Sequence, residues 1–213
     1  MIDLTEKDIL VVKQPSVWDT GNSILYRMCK KYPKHDDDGE IIAKIWLIGR
    51  SYAASVERRR NASEINDDFY AEVVAPAMKK AKIDSWLASI NKRAEPGDPQ
   101  TVVVHKKFMD ILNSISDLNK RALASKYLHF HNPNVFFIYD SRVRKAITKV
   151  VPRLNYIPAI EVDEYDKEYR DYVRRCVWLH NKIGEVFNKR LSPREVDTLL
   201  INLTNNESRI QFG

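Results

Sequence analysis

The sequence predicts an all-α protein, a single two-lobed helical domain over residues 1–213, and three observations predict it. Apolar residues recur at spacings near 3.6, strand-like alternation is nearly absent, and breakers are spaced as in a compact bundle. The 213 residues are 44% hydrophobic and 30% charged, with only 6 Gly and 9 Pro. That composition fills one domain or two small lobes sharing a core, and it excludes general disorder and collagen-like order.

The elements follow in chain order. Ser16 to Tyr32 places Trp18, Ile24, Leu25, Met28 and Cys29 mostly on one helical face and stops before Pro33. Trp18, Asn22 and Tyr26 also share a face, with both aromatics expected in the core and Asn22 available to read a base edge. The acidic turn His35 to Gly39 lacks the alternating ligands and distal Glu of a calcium loop, so it reads as a solvated connection. Glu40 to Arg60 is predicted as one long helix, apolar on most sides through Ile48, with small residues from Gly49 to Ser55 that admit a close neighbour. Asp67 to Ala94 is predicted helical with a break at Pro76. Glu95-Pro96-Gly97-Asp98-Pro99 is the clearest loop and the candidate lobe boundary, near residues 95–100.

Thr101 to Ser116 and Lys120 to His131 are helical by pattern, the second ended by Asn132-Pro133. Val135 to Tyr139 is a short apolar connection, and Ser141 to Val150 is an amphipathic basic helix. Glu164 to Asn188 turns Tyr165, Tyr169, Tyr172, Val173, Cys176, Val177 and Leu179 inward. Ser192-Pro193-Arg194-Glu195 has the cap, the first-turn Pro and the Glu of a helix start, so Val196 to Leu203 forms a final helix.

Composition bounds the function classes. No apolar run approaches the roughly 20 residues needed to span a bilayer. The N-terminus, Met1 to Glu6, has neither a basic n-region nor an apolar h-region, so a cytoplasmic location without a membrane partner is expected. Two cysteines, Cys29 and Cys176, are too few for a disulfide scaffold or a four-Cys metal centre. The formal charge of +6 suits a polyanionic partner, because basic side chains that neutralise phosphates release counterions. Basic clusters stand at Arg58-Arg59-Arg60, Lys79-Lys80-Ala81-Lys82, Lys106-Lys107, Lys120-Arg121, Arg142-Val143-Arg144-Lys145 and Arg174-Arg175.

The densest segment runs from Ala122 to Ile147: a helix, a Pro-containing turn, an apolar plug and one acid, Asp140, opening a basic helix. As a bare N-cap, Asp140 would satisfy first-turn N–H groups and complement the helix dipole. Helix N–H groups and the nearby Arg142, Arg144 and Lys145 would also keep it ionised where a phosphate backbone approaches. Such a carboxylate can stabilise positive charge developing on a sugar or orient an attacking water.

Ile138-Tyr139-Asp140-Ser141-Arg142-Val143-Arg144 resembles the V-D-T-H-V-x-R segment of helix-hairpin-helix DNA glycosylases, whose Asp drives base excision. Ala124-Ser125-Lys126-Tyr127-Leu128 occupies the place of that family's second hairpin helix, without a gap up to Asp140. The resemblance implies the two-lobed glycosylase fold and an enzyme that binds duplex DNA, extrudes a nucleotide and cleaves its N-glycosidic bond. It assigns catalysis to Asp140; on that reading a base pocket is expected from Asn22, Arg50, Tyr52 and Tyr139, and phosphate contacts from Lys120, Arg121, Lys126, Arg142, Arg144 and Lys145. The pocket is expected between the N-terminal helices and the Ala122–Ile147 unit.

The chain departs from the family at three places. The glycine hairpin L-P-G-V-G-x-K-T-A is replaced by Asp117-Leu118-Asn119-Lys120-Arg121-Ala122-Leu123-Ala124, so side chains would take over from backbone amides. The Schiff-base lysine falls on Ala122, and Lys126 lies too far along the helix to be an obvious substitute, which implies a monofunctional enzyme. The cysteine cluster is missing, which implies no iron–sulfur cluster. DNA is then the partner, no metal or other cofactor is expected, and the chain is expected to be a monomer. The W-L-I-G-R-S-Y-A-A-S-x-E-R-R and S-K-Y-L-H-F-H segments also resemble those of a set of uncharacterised bacterial glycosylase-like proteins, a likeness that implies no function by itself. Some glycosylase-like bacterial proteins act in phage defence on hypermodified bases, so repair and phage defence are both implied settings.

Other polar residues have competing readings. His129 and His131, at i and i+2, face different directions on a helix, which disfavours a shared metal. Arg50 is either the ion-pair partner of Glu57 or, with Tyr52 as a stacking ring, part of the base pocket. The alternative for the whole chain is a non-catalytic nucleic-acid-binding or interaction module on the same scaffold, with Asp140 only a cap.

Overall fold

The structure, a computed structural model, describes residues 4–58 and 68–211, with side chains to residue 205. Met1 to Asp3, Arg59 and Arg60 of the first basic cluster, and Asp67 at the start of one expected helix lie outside these. The described residues are helical throughout their regular structure: α1 (Glu6–Val11), α2 (Asp19–Lys31), α3 (Asp38–Ser51), α4 (Ala75–Lys80), α5 (Ile83–Ser89), α6 (Pro99–Ser116), α7 (Arg121–His131), α8 (Ser141–Val150), α9 (Lys167–Phe187) and α10 (Pro193–Gln211). A π-helical turn, Tyr70–Val74, leads into α4, and a short 3₁₀ turn, Leu154–Tyr156, precedes α9.

Six of the helix starts among the described residues are written in short acids and hydroxyls. Thr5 and Asp8 form a reciprocal capping box on α1, and Asp37, Asp98, Asp140 and Asp166 each accept a first-turn backbone N–H. Ser192 and Glu195 cap α10 in the same reciprocal way. α1 had no counterpart in the sequence expectation, since one turn of apolar spacing is too short to register as a period.

Two expectations are corrected. The helix expected from Glu40 to Arg60 ends at Ser51, where Ala53 enters the left-handed region at φ 50° and Ala54 N–H bonds back to the Gly49 carbonyl at 2.8 Å. The chain folds so closely over Gly49 that a Cβ there would lie 3.1 Å from Ser55 Cα. The small residues thus admit the protein's own backbone rather than another helix. Pro76 does not stop the helix either: the π-helical turn Tyr70–Val74 runs directly into α4, with Pro76 in its first turn, and the full break comes at Ala81, with ψ 149°.

Buried side chains divide into two cores. The first gathers α2 to α7 around Ile41, Ile45, Ile48, Met78, Phe108, Tyr127 and Phe136. The second packs α1, α8, α9 and α10 around Phe137, Ile147, Tyr169, Tyr172 and Leu200, with Val102 reaching over from α6. The chain changes core between Phe136 and Phe137, because successive residues of an extended segment point to opposite sides. The Glu95–Asp98 loop does not part the cores; it docks against the crossing, with Gly97 N–H bonded to the Val135 carbonyl at 2.9 Å.

That crossing is buried without regular structure, so its polar backbone needs side-chain partners. His129 takes the Phe136 carbonyl at 2.8 Å, Tyr169 that of Phe137 at 3.0 Å, and Tyr172 that of Ile138 at 2.7 Å. Ser125 Oγ accepts the Tyr139 N–H at 2.9 Å. These bonds fix where Asp140 emerges.

Candidate functional site

Asp140 leaves the crossing in an extended conformation and caps α8, its Oδ1 accepting the Arg142 N–H at 2.9 Å. Its Oδ2 accepts from Lys126 Nζ at 3.1 Å, and Arg142 Nε approaches Oδ1 at 3.5 Å. The Lys126 side chain is 3% exposed and that of Asp140 25%, so a buried ammonium meets a carboxylate with one side open to water. Burial works against ionising Asp140, but the Arg142 N–H and the Lys126 ammonium outweigh it and hold the carboxyl below its usual range.

A second acid lies in the same charge cluster. Asp197 on α10 is 4% exposed and pairs with Arg194 Nη1 at 3.3 Å. Burial pushes its carboxyl up to about 6 against the pull of Arg194 and Lys126, and the charge of Asp140 pushes the same way as burial. Two carboxyls in one site are thereby driven in opposite directions, a pattern found where acids take different roles.

Arg194 joins this cluster to an aromatic wall. Its Cζ lies 5.5 Å from the Phe130 ring centroid, 5.7 Å from Tyr52 and 5.9 Å from Tyr26. Its Nε donates to Tyr26 Oη at 3.1 Å, and Tyr26 Oη is 2.6 Å from His129 Nε2. Because His129 Nδ1 faces the Phe136 carbonyl, Nδ1 carries the proton and Nε2 accepts from Tyr26. Burial lowers the His129 imidazole to about 3, so the ring is neutral throughout this chain of bonds. Tyr52 donates to Asn22 Oδ1 at 2.6 Å, and Lys126 Nζ lies 5.4 Å from the Tyr52 centroid.

A cleft of about 790 Å³ is bordered by Tyr26, Lys30, Phe130, His131, Asn132 and Arg194 among others, and Asn22, Tyr52, Lys126 and Asp140 are not part of its lining. It lies between α2, the end of α7 and the start of α10. Arg194 Nη2 and His131 Nε2 are both buried there without a hydrogen-bond partner.

The structure brings Asn22, Tyr52, Lys126, Asp140 and Arg142 together and sends the other candidates elsewhere. Arg50 pairs with Glu57 at 2.5 Å on the surface, as the ion-pair reading expected. Tyr139 turns into the second core, its ring against Tyr172 and its hydroxyl donating to Glu168. Lys120 Nζ donates to the carbonyls of Ser55, at 3.0 Å, and Arg58. Arg121 makes a two-point pair with Asp166 at 2.5 and 2.8 Å and also meets Glu168 at 2.9 Å. Lys126 is correspondingly a buried partner for Asp140 and no surface cation. Arg142, Arg144 and Lys145 remain on the exposed face of α8, Arg144 meeting Glu168 at 3.3 Å.

Trp18 is corrected from core to surface at 75% exposure, because α2 begins only at Asp19 and leaves it beyond the packed turns. His129 and His131 diverge as their spacing requires, the second ring lying against His35 and Tyr127. Sequence reasoning missed Arg194 and Asp197, and it assigned Tyr26 to packing alone. The i, i+3 spacing of Arg194 and Asp197 signals an ion pair, but nothing local connects it to Asp140.

Among the described residues no three His, Cys, Asp or Glu converge on a possible metal, and no helix is long and apolar enough to cross a membrane. No family model, curated protein or solved structure matches this chain.

Proposed function

We propose that this protein is a DNA N-glycosylase that excises a damaged or modified base by hydrolysis, with Asp140 as its catalytic carboxylate. The observation that supports this is the ionised Asp140 at the α8 N-terminus, beside Lys126, with the Tyr52–Asn22 pair close by. An extruded nucleotide would place its sugar at Asp140 and its base toward Tyr52. As the C1′–N bond breaks, its electron pair leaves with the base, which takes up a proton. Asp140 stabilises the positive charge left on the sugar and orients the water whose oxygen bonds to C1′, the water's proton passing to Asp140 or to solvent. Arg142, Arg144 and Lys145 carry the phosphate contacts, since Lys120, Arg121 and Lys126 are committed to partners inside the protein.

One distance favours a second reading. With Nζ 3.1 Å from Asp140 Oδ2, the Lys126 amine stands beside the same sugar. Having lost a proton to Asp140 or solvent, it would attack C1′ and displace the base, which leaves with the C1′–N electron pair and takes up a proton; opening of the sugar ring then gives a Schiff base, and β-elimination expels the 3′ phosphate and cuts the strand.

Incubating wild type with duplexes carrying damaged, deaminated and hypermodified bases separates these outcomes. Alkali-labile sites without borohydride-trapped protein establish the hydrolytic enzyme, and Asp140→Asn then lowers base release by about a thousandfold or more while DNA binding persists. A trapped adduct that disappears in Lys126→Gln establishes the lyase. DNA binding with no base release on any duplex leaves the non-catalytic module.

A further inference from the structure

Four charges from three separate stretches of chain lie together at the candidate site: Lys126 on α7, Asp140 before α8, and Arg194 and Asp197 on α10. α8 and α10 pack directly on one another, and the pairs are Lys126–Asp140 at 3.1 Å and Arg194–Asp197 at 3.3 Å. With both acids ionised this four-charge cluster is neutral, Arg142 beside Asp140 standing outside it at 65% exposure, where solvent screens its charge. With Asp197 protonated the cluster carries one positive charge, inside a region where Lys126 and Asp197 are nearly inaccessible to solvent screening.

We propose that Asp197 is a positioning and counter-charge residue for the Asp140 site, holding Arg194 against the Tyr26–Tyr52–Phe130 wall and cancelling its charge. The consequence for the reaction rests on the glycosylase reading. A site that develops positive charge on a sugar works against any net positive field, so loss of the Asp197 charge opposes the step that Asp140 assists. Geometry also gives Asp197 a hold on the wall: Arg194 bonds to Asp197 through Nη1 and to Tyr26 through Nε, so one guanidinium ties acid to ring.

The groups facing Asp197 come from every neighbouring element. They are Tyr26 on α2, Tyr52 at the end of α3, Lys126 on α7, Asp140 and Arg142 at α8, Tyr172 and Cys176 on α9, and Arg194 on its own helix. The tyrosines and the thiol are all pushed upward by burial, and Asp140 is held below its usual range, so none of these titrates with Asp197. Burial also keeps the nearby His129 and His131 imidazoles far below the ordinary histidine range.

The test is the pH dependence of base release by wild type and Asp197→Asn, an isosteric change whose folding is checked by circular dichroism. Wild type should lose activity on the acid side with a midpoint near pH 6. Asp197→Asn should run flat from about pH 5 to 7.5, at about a tenth of the wild-type rate. An acid limb that persists unchanged in Asp197→Asn overturns the proposal. If wild type releases no base, the glycosylase reading fails and carboxyl-carbon NMR still decides the coupling. A midpoint of Asp197 that falls in Asp140→Asn upholds the shared cluster, and an unmoved midpoint overturns it.

Discussion

Gly97→Ala is expected to cost about 3 kcal/mol or more of folding stability, from two independent penalties. Gly97 sits at φ 78°, in the left-handed region that costs a residue with a Cβ about 1–2 kcal/mol. A Cβ there would also lie 2.5 Å from Val177 Cγ2, 3.0 Å from Phe137 Cε2 and 3.1 Å from Val173 Cγ1. Those side chains belong to α9 and the core crossing, so relieving the overlap disturbs packing at about 1–3 kcal/mol. Urea unfolding measures the loss, with Gly21→Ala as the control. Gly21 lies in α2 with nothing within 4 Å of its added Cβ, so alanine there should stabilise by a few tenths to about 1 kcal/mol. Equal costs at the two glycines would contradict the close approach at Gly97.

The second large effect lies in the Lys126–Asp140 pair. Asp140→Asn keeps a side-chain oxygen for the α8 cap, so the cap itself changes by only a few tenths of a kcal/mol. What it removes is the direct counter-charge of an ammonium that is 3% exposed. Breaking a fully buried pair costs about 3–5 kcal/mol, and the open side of Asp140 and the remaining Asp197 reduce this to about 2 kcal/mol. Lys126→Met added to Asp140→Asn should recover about half of the loss, because no stranded charge remains. Strict additivity in that double-mutant cycle would mean the two groups do not interact and Asp140 is only a cap.

The pH dependence of the same variants carries a sign. The folded Asp140 carboxyl titrates below its unfolded value of 3.8. Its contribution to stability is therefore complete above that value and is lost as pH falls through the lower, folded one. Asp197 has the opposite sign: its folded value is raised from 3.8 to about 6, so its contribution declines as pH rises between those values.

Most helices were legible because each writes its own period and its own ends. Asp140 and Ser192-Pro193-Arg194-Glu195 announce the starts of α8 and α10 in their local chemistry, whereas Asp98-Pro99, read from the sequence as loop, supplies the cap and first residue of α6. The misplaced end of α3 shows the limit of such signals. Nothing in the composition from Gly49 to Ser55 opposes helix strongly, yet the chain turns back at Ala53 and closes over Gly49. A tertiary contact chose that conformation, and local propensity is too weak to resist one.

The candidate site divides along the same line. Asp140 is legible because its role as an N-cap depends only on the residues that follow it, and the row Asn22–Tyr26 depends only on helical spacing. The partners that give Asp140 its chemistry are set by folding. Lys126 reaches it because the α7 helix and the extended Val135–Tyr139 crossing run side by side, held by Ser125 and His129. Arg194 and Asp197 join from more than fifty residues away through the packing of α10 on α8. By itself the sequence determined the all-α class, most helix ends and the one acid at a basic helix start, because those follow from short-range periodicity and capping. Only the tertiary structure decided which cations are free, which are spent on buried acids, and that a second carboxyl shares the site. Charge pairing and desolvation depend on distances that chain order does not encode.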